Sequence, residues 1–413
     1  MNPRTSDRLL DEPRTLHYVV APQRMDADAA KVVRRLTQAG YKAYLVGGCV
    51  RDLLLEKSPK DFDVATSASP KQVRALFRNC RIIGRRFLLA HILCAHGKII
   101  EVATFRKDPT PYGVEGGDED EWETADESGA DAPRRARPTD DQDLLIRHDN
   151  VFGNPPEDAI RRDFTMNALF YDLERREVVD YVGGLADIEH RVIRTIGDAD
   201  VRFREDPVRI LRAIKFAARL DLGIEPQVYD AMVAHREDLL RAARPRLLEE
   251  VLRLMRHAAA RRSIWLAWET GVLATVLPEV SAWIDDHPDA SSRLWTRLAA
   301  IDARAKAGDL PSDTTLFSAL TLDPALESMT GVKDALLGAS DFYQDLQELL
   351  PMPRRLFDRV RQVVAAQRRF RTGRESTVAR RDFYDDARDL FVLDGSRVRP
   401  PKAAVRGAAE PQT

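Results

Sequence analysis

A chain of 413 residues can bury several hydrophobic cores without disulfide or metal staples, and its length alone predicts two to four domains. Its 64 Lys and Arg stand against 66 Asp and Glu, a formal net charge of -2, which excludes a wholly basic nucleic-acid coat protein and confines any nucleic-acid surface to a local patch. With 44% hydrophobic and 31% charged residues, and no window near the roughly 18 apolar residues of a membrane span, the composition predicts a soluble protein with no membrane partner. The opening stretch MNPRTSDRLLDEPRTLHYVV lacks the pattern of a secretory signal, and Cys49, Cys80 and Cys94 fit neither a disulfide framework nor a zinc knuckle. A reducing, cytoplasmic location is therefore expected.

From Asp26 to Ile100 helical and strand patterns alternate. Asp26 can cap a helix whose apolar stripe is Ala29, Val32, Val33 and Leu36, with Gly40 as its stop. Ala43 to Val46 then reads as a strand, Gly47-Gly48 as a turn, and Cys49 to Leu55 as a short helix. Asp61 to Val64 is predicted as a second strand, and Ser69-Pro70 opens a helix that turns Val73, Leu76 and Phe77 inward. Cys80 to Gly84, Phe87 to Ala95 and Lys98 to Phe105 are β-rich. The pattern fails between Lys107 and Gln142, where residues 114–127 hold eight acids and no base, so a mobile loop is expected there. A helix is predicted from Pro155 to Tyr171, then a strand at Val178 to Tyr181 and a turn at Gly183-Gly184. Beyond Asp206 nearly everything is helical: Pro207 to Leu220, Glu225 to Ala242, Arg246 to His257, Ile264 to Leu273, and further segments to about Gln367.

The expected fold class is thus α+β, a mixed β-sheet head with flanking helices followed by an all-helical neck, body and C-terminal region. The boundaries implied are an N-terminal extension at 1–25, a head at 26–183 with its insert at 107–142, a neck at 184–258, a body at 259–352 and an Arg-rich C-terminal region with tail at 353–413. The last dozen residues, rich in Pro, Ala and Gly, read as disordered.

Four clusters carry chemistry. In Asp61-Phe62-Asp63 a strand would project both carboxylates from one face, where their repulsion calls for a divalent cation, and oxygen donors suit magnesium or manganese; the alternative is one Asp capping a turn and the other merely exposed. Leu45-Val-Gly-Gly-Cys-Val-Arg-Asp52 runs from strand into a two-glycine turn at a helix start, so Gly47 and Gly48 can bring backbone N–H groups close to a triphosphate while Arg51 adds a fork donor. It lacks G-x-G-x-x-G and G-x-x-x-x-G-K-[ST], which counts against dinucleotide and P-loop folds. On the predicted helix through Arg161-Arg162-Asp163-Phe164-Thr165-Met166-Asn167, Asp163 and Asn167 project together opposite a stripe of Ile160, Phe164, Ala168 and Tyr171. Glu101, inside the apolar Ile99 to Val102, is a rival acid and is expected to be buried. Finally Asp206, Arg209 and Arg212 fall at i, i+3 and i+6 along the side of a helix opposite its core face, a fence able to read a base edge, or only a helix cap with its charge partners. The stretch from Pro353 to Arg381 adds ten Arg, among them Arg368, Arg369 and Arg371; it suits a phosphate backbone or is a solvated face.

Taken in order, LVGGCVRDLLL, KDFDVAT, RRDFTMNALFYD, YVGG and REDPVRILRAIKFAARL resemble the class II nucleotidyltransferases, the family of bacterial poly(A) polymerases and CCA-adding tRNA nucleotidyltransferases. The resemblance spans about Tyr44 to Leu220, reaches Met255 through Arg244-Pro-Arg-Leu-Leu-Glu-Glu-Val-Leu, and includes at Gly84 to His91 a stretch like the one that marks bacterial poly(A) polymerases. It implies that Asp61 and Asp63 bind the catalytic Mg2+ (or Mn2+), that Gly47, Gly48 and Arg51 hold the triphosphate, that Asp163 is a third functional acid and that Arg162 assists at the nucleotide. Glu205, Asp206 and Arg209 would form the template for the incoming base, with Arg212 beside them. The activity implied is template-independent transfer of AMP from ATP to RNA 3′-hydroxyl ends with release of pyrophosphate, in mRNA polyadenylation and RNA turnover; RNA and ATP are the partners, and DNA is not expected. The alternatives are a CCA-adding enzyme using CTP and ATP on tRNA ends, and, from another class, a non-catalytic RNA-binding protein on the same scaffold. The acidic insert and the lack of a long basic tail depart from the family pattern.

Overall fold

The computed structural model describes residues 9–84, 88–107 and 151–395. The acidic insert at 114–127, residues 85–87 of the Gly84 to His91 stretch and the C-terminal tail lie outside the described residues. The chain divides into two units, Met1–Asp206 with Gly223–Ala231, and Pro207–Leu222 with Met232–Thr413.

The first unit is built on an eight-stranded mixed sheet among the described residues: β1 (Arg14–His17), β2 (Ala43–Val46), β3 (Asp63–Thr66), β4 (Cys80–Ile83), β5 (Leu89–Leu93), β6 (Ile99–Thr104), β7 (Leu169–Asp172) and β8 (Glu177–Asp180), in the order β1-β8-β7-β2-β3-β6-β5-β4. β3 and β6 pair in parallel and the other neighbours antiparallel. On one face lie α1 (Ala27–Gln38), α2 (Gly48–Leu54) and α3 (Pro70–Leu76), whose Val32, Val33, Leu36, Val50, Leu53 and Val73 pack on Leu45, Val64, Ile92, Ile100 and Val102. Each such side chain removed from water contributes roughly 1.5–3 kcal/mol. Asp26 caps α1 by accepting the N–H of Asp28 and Ala29, as the sequence predicts, and α3 opens at Ser69-Pro70 as expected, with Ser69 closing a reciprocal capping box with Gln72. The other face carries Val46, Ala65, Phe105 and Phe170, under Ala159 of α4 (Pro155–Ile160) and Ile196. Phe170 is ringed edge-on by Tyr44 and Tyr181, with centroids 5.9 and 5.7 Å away.

Three elements differ from expectation. The second strand runs Asp63–Thr66 rather than Asp61–Val64, because its partner β2 stops at Val46 before the Gly47 turn; Asp63 lies opposite Val46, and Asp61 has no β2 residue to pair with. The helix predicted from Pro155 to Tyr171 ends at Ile160, gives one 3₁₀ turn at Thr165–Asn167 and then enters the sheet as β7. One cause is local and one tertiary: the Asp163 carboxylate accepts the N–H of Phe164, competing with the helical bond, and Phe164 bridges to the distant Thr195 as extended chain. Arg14–His17, read as part of an extension, forms the sheet edge β1.

Behind β8 the turn at Gly183-Gly184 opens α5 (Gly184–Glu189), and the fully buried Asp180 accepts four backbone N–H groups there, from Val182, Gly183, Gly184 and Leu185. Gly184 is required by close approach, since a Cβ on it would sit 2.2 Å from the carbonyl oxygen of Thr165. A two-stranded parallel pair, β9 (Val192–Ile193) with β10 (Gly223–Ile224), and α6 (Ala199–Glu205) complete this unit's main elements, and α8 (Pro226–Ala234) leads out of it.

The second unit is helical throughout the described residues. α7 (Val208–Leu220) packs on α9 (Arg244–Met255) and α10 (Ala260–Glu269); α11 (Val272–Val276), α12 (Pro278–Asp286), α13 (Ser292–Lys306), α14 (Asp313–Ser328), α15 (Ala335–Leu349), α16 (Arg354–Arg371) and α17 (Tyr384–Leu393) follow. The predicted helix Ile264 to Leu273 is broken at Gly271, whose φ of 72° ends α10 and starts α11. Likewise the one predicted from Glu225 to Ala242 becomes α8 and a 3₁₀ segment at Arg236–Arg241. No helix among the described residues is long and apolar enough to cross a membrane.

Candidate active site

At one end of the head sheet, β2 delivers Gly47, β3 begins with Asp63, and β6 carries Glu101. Val64 pairs with Val102 in parallel register, so the preceding residues Asp63 and Glu101 stand side by side on one face of the sheet. Glu101 is therefore exposed, not buried as expected: β6 alternates, placing Ile100 and Val102 in the core and Glu101 on the open face, where His91 lies 3.5 Å from it. Asp61 is also exposed, while Phe62 between the two aspartates is buried. Asp63 keeps exposed surface, yet the protein packed around its carboxyl, then the charges of Glu101 and Asp61, push it up to about 6 against the pull of Arg162. Burial and the neighbouring acids thus outweigh the one guanidinium that acts on this carboxylate. Beside it, burial drives the Cys49 thiol up to about 12, which removes it as a nucleophile.

Gly47 adopts φ 71°, ψ −127°, and a Cβ there would meet Arg162 Nη1 at 3.0 Å, so glycine lets the guanidinium lie against the turn. Arg162 donates through Nε and Nη2 to Asp158 (3.2 and 2.9 Å) and through Nη1 to the carbonyl of Asn167 (3.1 Å), and lies over the Phe170 ring at 5.4 Å. Asp158 also accepts the N–H of Arg106. Arg51 is buried: its Nε and Nη2 fork onto Asp52 Oδ1 (2.8 and 2.6 Å) and its Nη1 reaches Asn167 Oδ1 (2.6 Å). Asn167 Nδ2 in turn donates to Asp163 Oδ1 at 3.0 Å. The expected meeting of Asp163 and Asn167 is present without the helix, inside a buried row Asp52–Arg51–Asn167–Asp163. Behind it the fully buried Arg202 donates to the carbonyls of Arg161 and Arg162 and to Glu205, pinning the segment.

Glu205 and Asp206 end the first unit's part of the fence, and Arg209 and Arg212 begin that of the second. The expected solvent side of α7 is not there: the helix is buried almost all round, Arg209 included, with Arg212 half-buried over Phe216. Asp206 has extended backbone and Pro207 stands at the cap of α7, with no side-chain cap bond. In α16, Arg368 is engaged with the carbonyls of Met329 and Val332 at 2.5 Å, Arg371 pairs with Asp394, and Arg369 is exposed. Sequence reasoning missed Asp52, Asp158 and Arg202; the one available signal was that each is an acid or base inside or next to a stretch already singled out.

These strand-end carboxylates beside a glycine turn sit in segments that match known proteins. Residues 43–194 match the family model described as the poly A polymerase head domain, and residues 221–284 the one described as the probable RNA and SrmB-binding site of polymerase A. The chain is 37% identical over 369 residues to poly(A) polymerase I of Salmonella typhimurium, covering 86% of this chain and 75% of that one. To the CCA-adding enzyme of Levilactobacillus brevis it is 35% identical over 270 residues, 65% of this chain and 59% of that one. A crystal structure of the Bacillus stearothermophilus CCA-adding enzyme in complex with CTP shares the fold, with a TM-score of 0.64 over 90% of this chain and 80% of that one at 24% identity. Fold and head together define a nucleotidyltransferase. The chain belongs to the poly(A) polymerase and CCA-adding enzyme family.

Proposed function

We propose that this nucleotidyltransferase is a poly(A) polymerase, adding AMP from ATP to RNA 3′-hydroxyl ends. The observation that carries the reading is the likeness to poly(A) polymerase I over 369 residues, longer and closer than the 270 residues shared with the CCA-adding enzyme. Asp61, Asp63 and the adjacent Glu101 offer hard oxygen donors that fit magnesium or manganese. Among the described residues no three acid, His or Cys side chains already cluster as a metal cage. A divalent cation there would neutralise charge developing at the α-phosphate and the departing pyrophosphate.

The protein's own contribution is positional. The Gly47-Gly48 turn gives a phosphate close access to backbone, and Arg162, held by Asp158 against Gly47, sets a positive charge beside Asp63. Arg51 acts from beneath, its guanidinium fixed by Asp52 and Asn167, and Asp163 holds Asn167 in turn; both are positioning residues in this reading. Glu205, Asp206, Arg209 and Arg212 are proposed for the base, and RNA grip for the exposed Arg369 with weaker roles for Arg368 and Arg371. The domain reading of head, neck, body and Arg-rich C-terminal region stands as part of the proposal.

Primer extension with each nucleoside triphosphate separately is the test. An arbitrary RNA with a free 3′ end should grow a long A tail with ATP and magnesium and extend little with CTP. Extension confined to tRNA lacking its terminal residues, halting once CCA is restored, would replace this reading with the CCA-adding one that the Levilactobacillus brevis likeness supports.

A further inference from the structure

The second unit contains a recess of about 600 Å³ whose lining includes Arg261, Arg262, Trp265, Trp295, Asp302 and Lys306. Its chemistry is unlike that of a packing defect. Trp265, on α10, leaves 43% of its surface exposed, although an indole is among the side chains that gain most from burial. Across the recess Trp295, on α13, is half-buried, braced against Trp268 with ring centroids 6.3 Å apart. Asp302 accepts the N–H groups of Ala260 and Arg261, so the acid is turned to the backbone at the start of α10. Arg262 is paired with Asp221. Arg261 and Lys306, both exposed, are the cations at the rim; both also act on the Asp302 carboxylate, so the recess sets two positive charges and one negative beside its two indoles.

We infer that this recess is a stacking site for an unpaired base of single-stranded RNA, with the indole of Trp265 against the base and Arg261 and Lys306 on the flanking phosphates. A flat aromatic face left open beside cations suits a base and its phosphate far better than an apolar peptide, which would have to cover both charges. The volume is that of a small-molecule pocket, enough for a nucleotide. Arg261, Arg262 and Trp265 lie within residues 221–284, which match the segment described as a probable RNA and SrmB-binding site, whereas Trp295, Asp302 and Lys306 lie outside it. The inference rests on the reading of RNA as substrate, but the residues involved all belong to the second unit and none to the candidate active site.

Fluorescence anisotropy of a labelled oligo(A) tests it on the full chain, with no catalysis needed. Trp265→Ala should weaken binding by on the order of 5- to 100-fold, the span of one lost base stack, and Trp265→Phe by less than about threefold. Because paired bases are already stacked, an RNA duplex of equal length should bind Trp265→Ala and the wild type alike. The double variant Arg261→Gln, Lys306→Gln should lower the salt slope by about 1.4, roughly 0.7 for each lost phosphate contact. KM for ATP should not move. Unchanged oligo(A) affinity in Trp265→Ala, an equal loss on the duplex, or a rise in KM for ATP without weaker RNA binding would each overturn the stacking site. Wild-type protein that binds oligo(A) through Trp265 but extends no primer would instead refute the proposed activity and leave this site standing.

Discussion

Asn167→Asp is the smallest change that strikes the buried row beneath the candidate active site. It preserves shape and keeps an acceptor toward Arg51 Nη1, but replaces the Nδ2–H donor with an oxygen facing Asp163 Oδ1 at 3.0 Å. One Arg51 cation would then serve three carboxylates instead of two, all buried. Two charges at that separation repel by about 5 kcal/mol at an effective dielectric of about 20, and the fold can avoid this only by binding a proton. The introduced acid therefore has its folded pKa raised above the unfolded one. Such a group favours the folded state at low pH and loses that advantage as pH rises through the folded pKa, so the variant is penalised most at high pH. Urea unfolding of both proteins at pH 5 and pH 8 should show a modest difference at pH 5 and a loss of about 3–5 kcal/mol at pH 8. Asn167→Ala, which removes two hydrogen bonds but adds no charge, should cost about 2–4 kcal/mol at both pH values. If Asn167→Asp unfolds like the wild type at pH 8, or is equally destabilised at both pH values, the row does not carry the charges assigned to it.

Asp61→Ala or Asp63→Ala should lower nucleotide addition by on the order of 10³-fold or more, with the melting temperature unchanged or raised as repulsion with Glu101 is relieved; steady-state rates within tenfold of wild type would remove these residues from the chemistry. Gly184→Ala should cost about 3 kcal/mol or more, because a Cβ placed 2.2 Å from the Thr165 carbonyl oxygen forces backbone to move; calorimetry showing a melting temperature within two degrees or so of wild type would contradict that packing. The α16 arginines should separate by assay: Arg368→Gln lowers stability by about 1–3 kcal/mol through its two carbonyl contacts, whereas Arg369→Gln leaves the melt alone and lowers the RNA salt slope by about 0.7.

Much of the head was legible because its signals are local. Asp26, Ser69 and the stripe of Ala29, Val32, Val33 and Leu36 fix α1 and α3 through bonds and packing within a few residues. The break after Ile160 was not legible, since Ile160, Phe164, Ala168 and Tyr171 keep a helical spacing while two tertiary demands, the Phe164 bridge to Thr195 and the place of β7 between β2 and β8, override it. Strand phase was misjudged by two residues for a similar reason: where β3 starts depends on where β2 ends. The neighbourhood of Asp63 and Gly47 was legible in outline, because the strand ending at Val46 and the turn after it are local signals, and the structure sets Asp63 opposite Val46. Glu101 could be named as an acid in an apolar strand but not placed, since its side of the sheet follows from the β3–β6 register.

A count of arginines could not tell which of them are available to RNA, and the second unit shows why. The seven arginines of this stretch that lie in α16 are partly internal machinery: Arg368 holds two carbonyls, Arg361 donates to Asp358 and Ser340, Arg359 faces Asp382 and Asp386, and Arg371 pairs with Asp394. A cation so engaged still adds to the local potential, but it can meet a phosphate only by giving up an existing partner, which reduces its net gain. Arg261 and Lys306 attract no notice in sequence, being two charges 45 positions apart, yet the packing of α10 and α13 sets both beside open indoles. Charge density along the chain is therefore the weaker guide here. On the readings proposed above, an exposed aromatic plane with cations beside it marks a base-stacking grip, and among the sites discussed only the Trp265 recess has one, whereas Arg369 offers a phosphate contact alone.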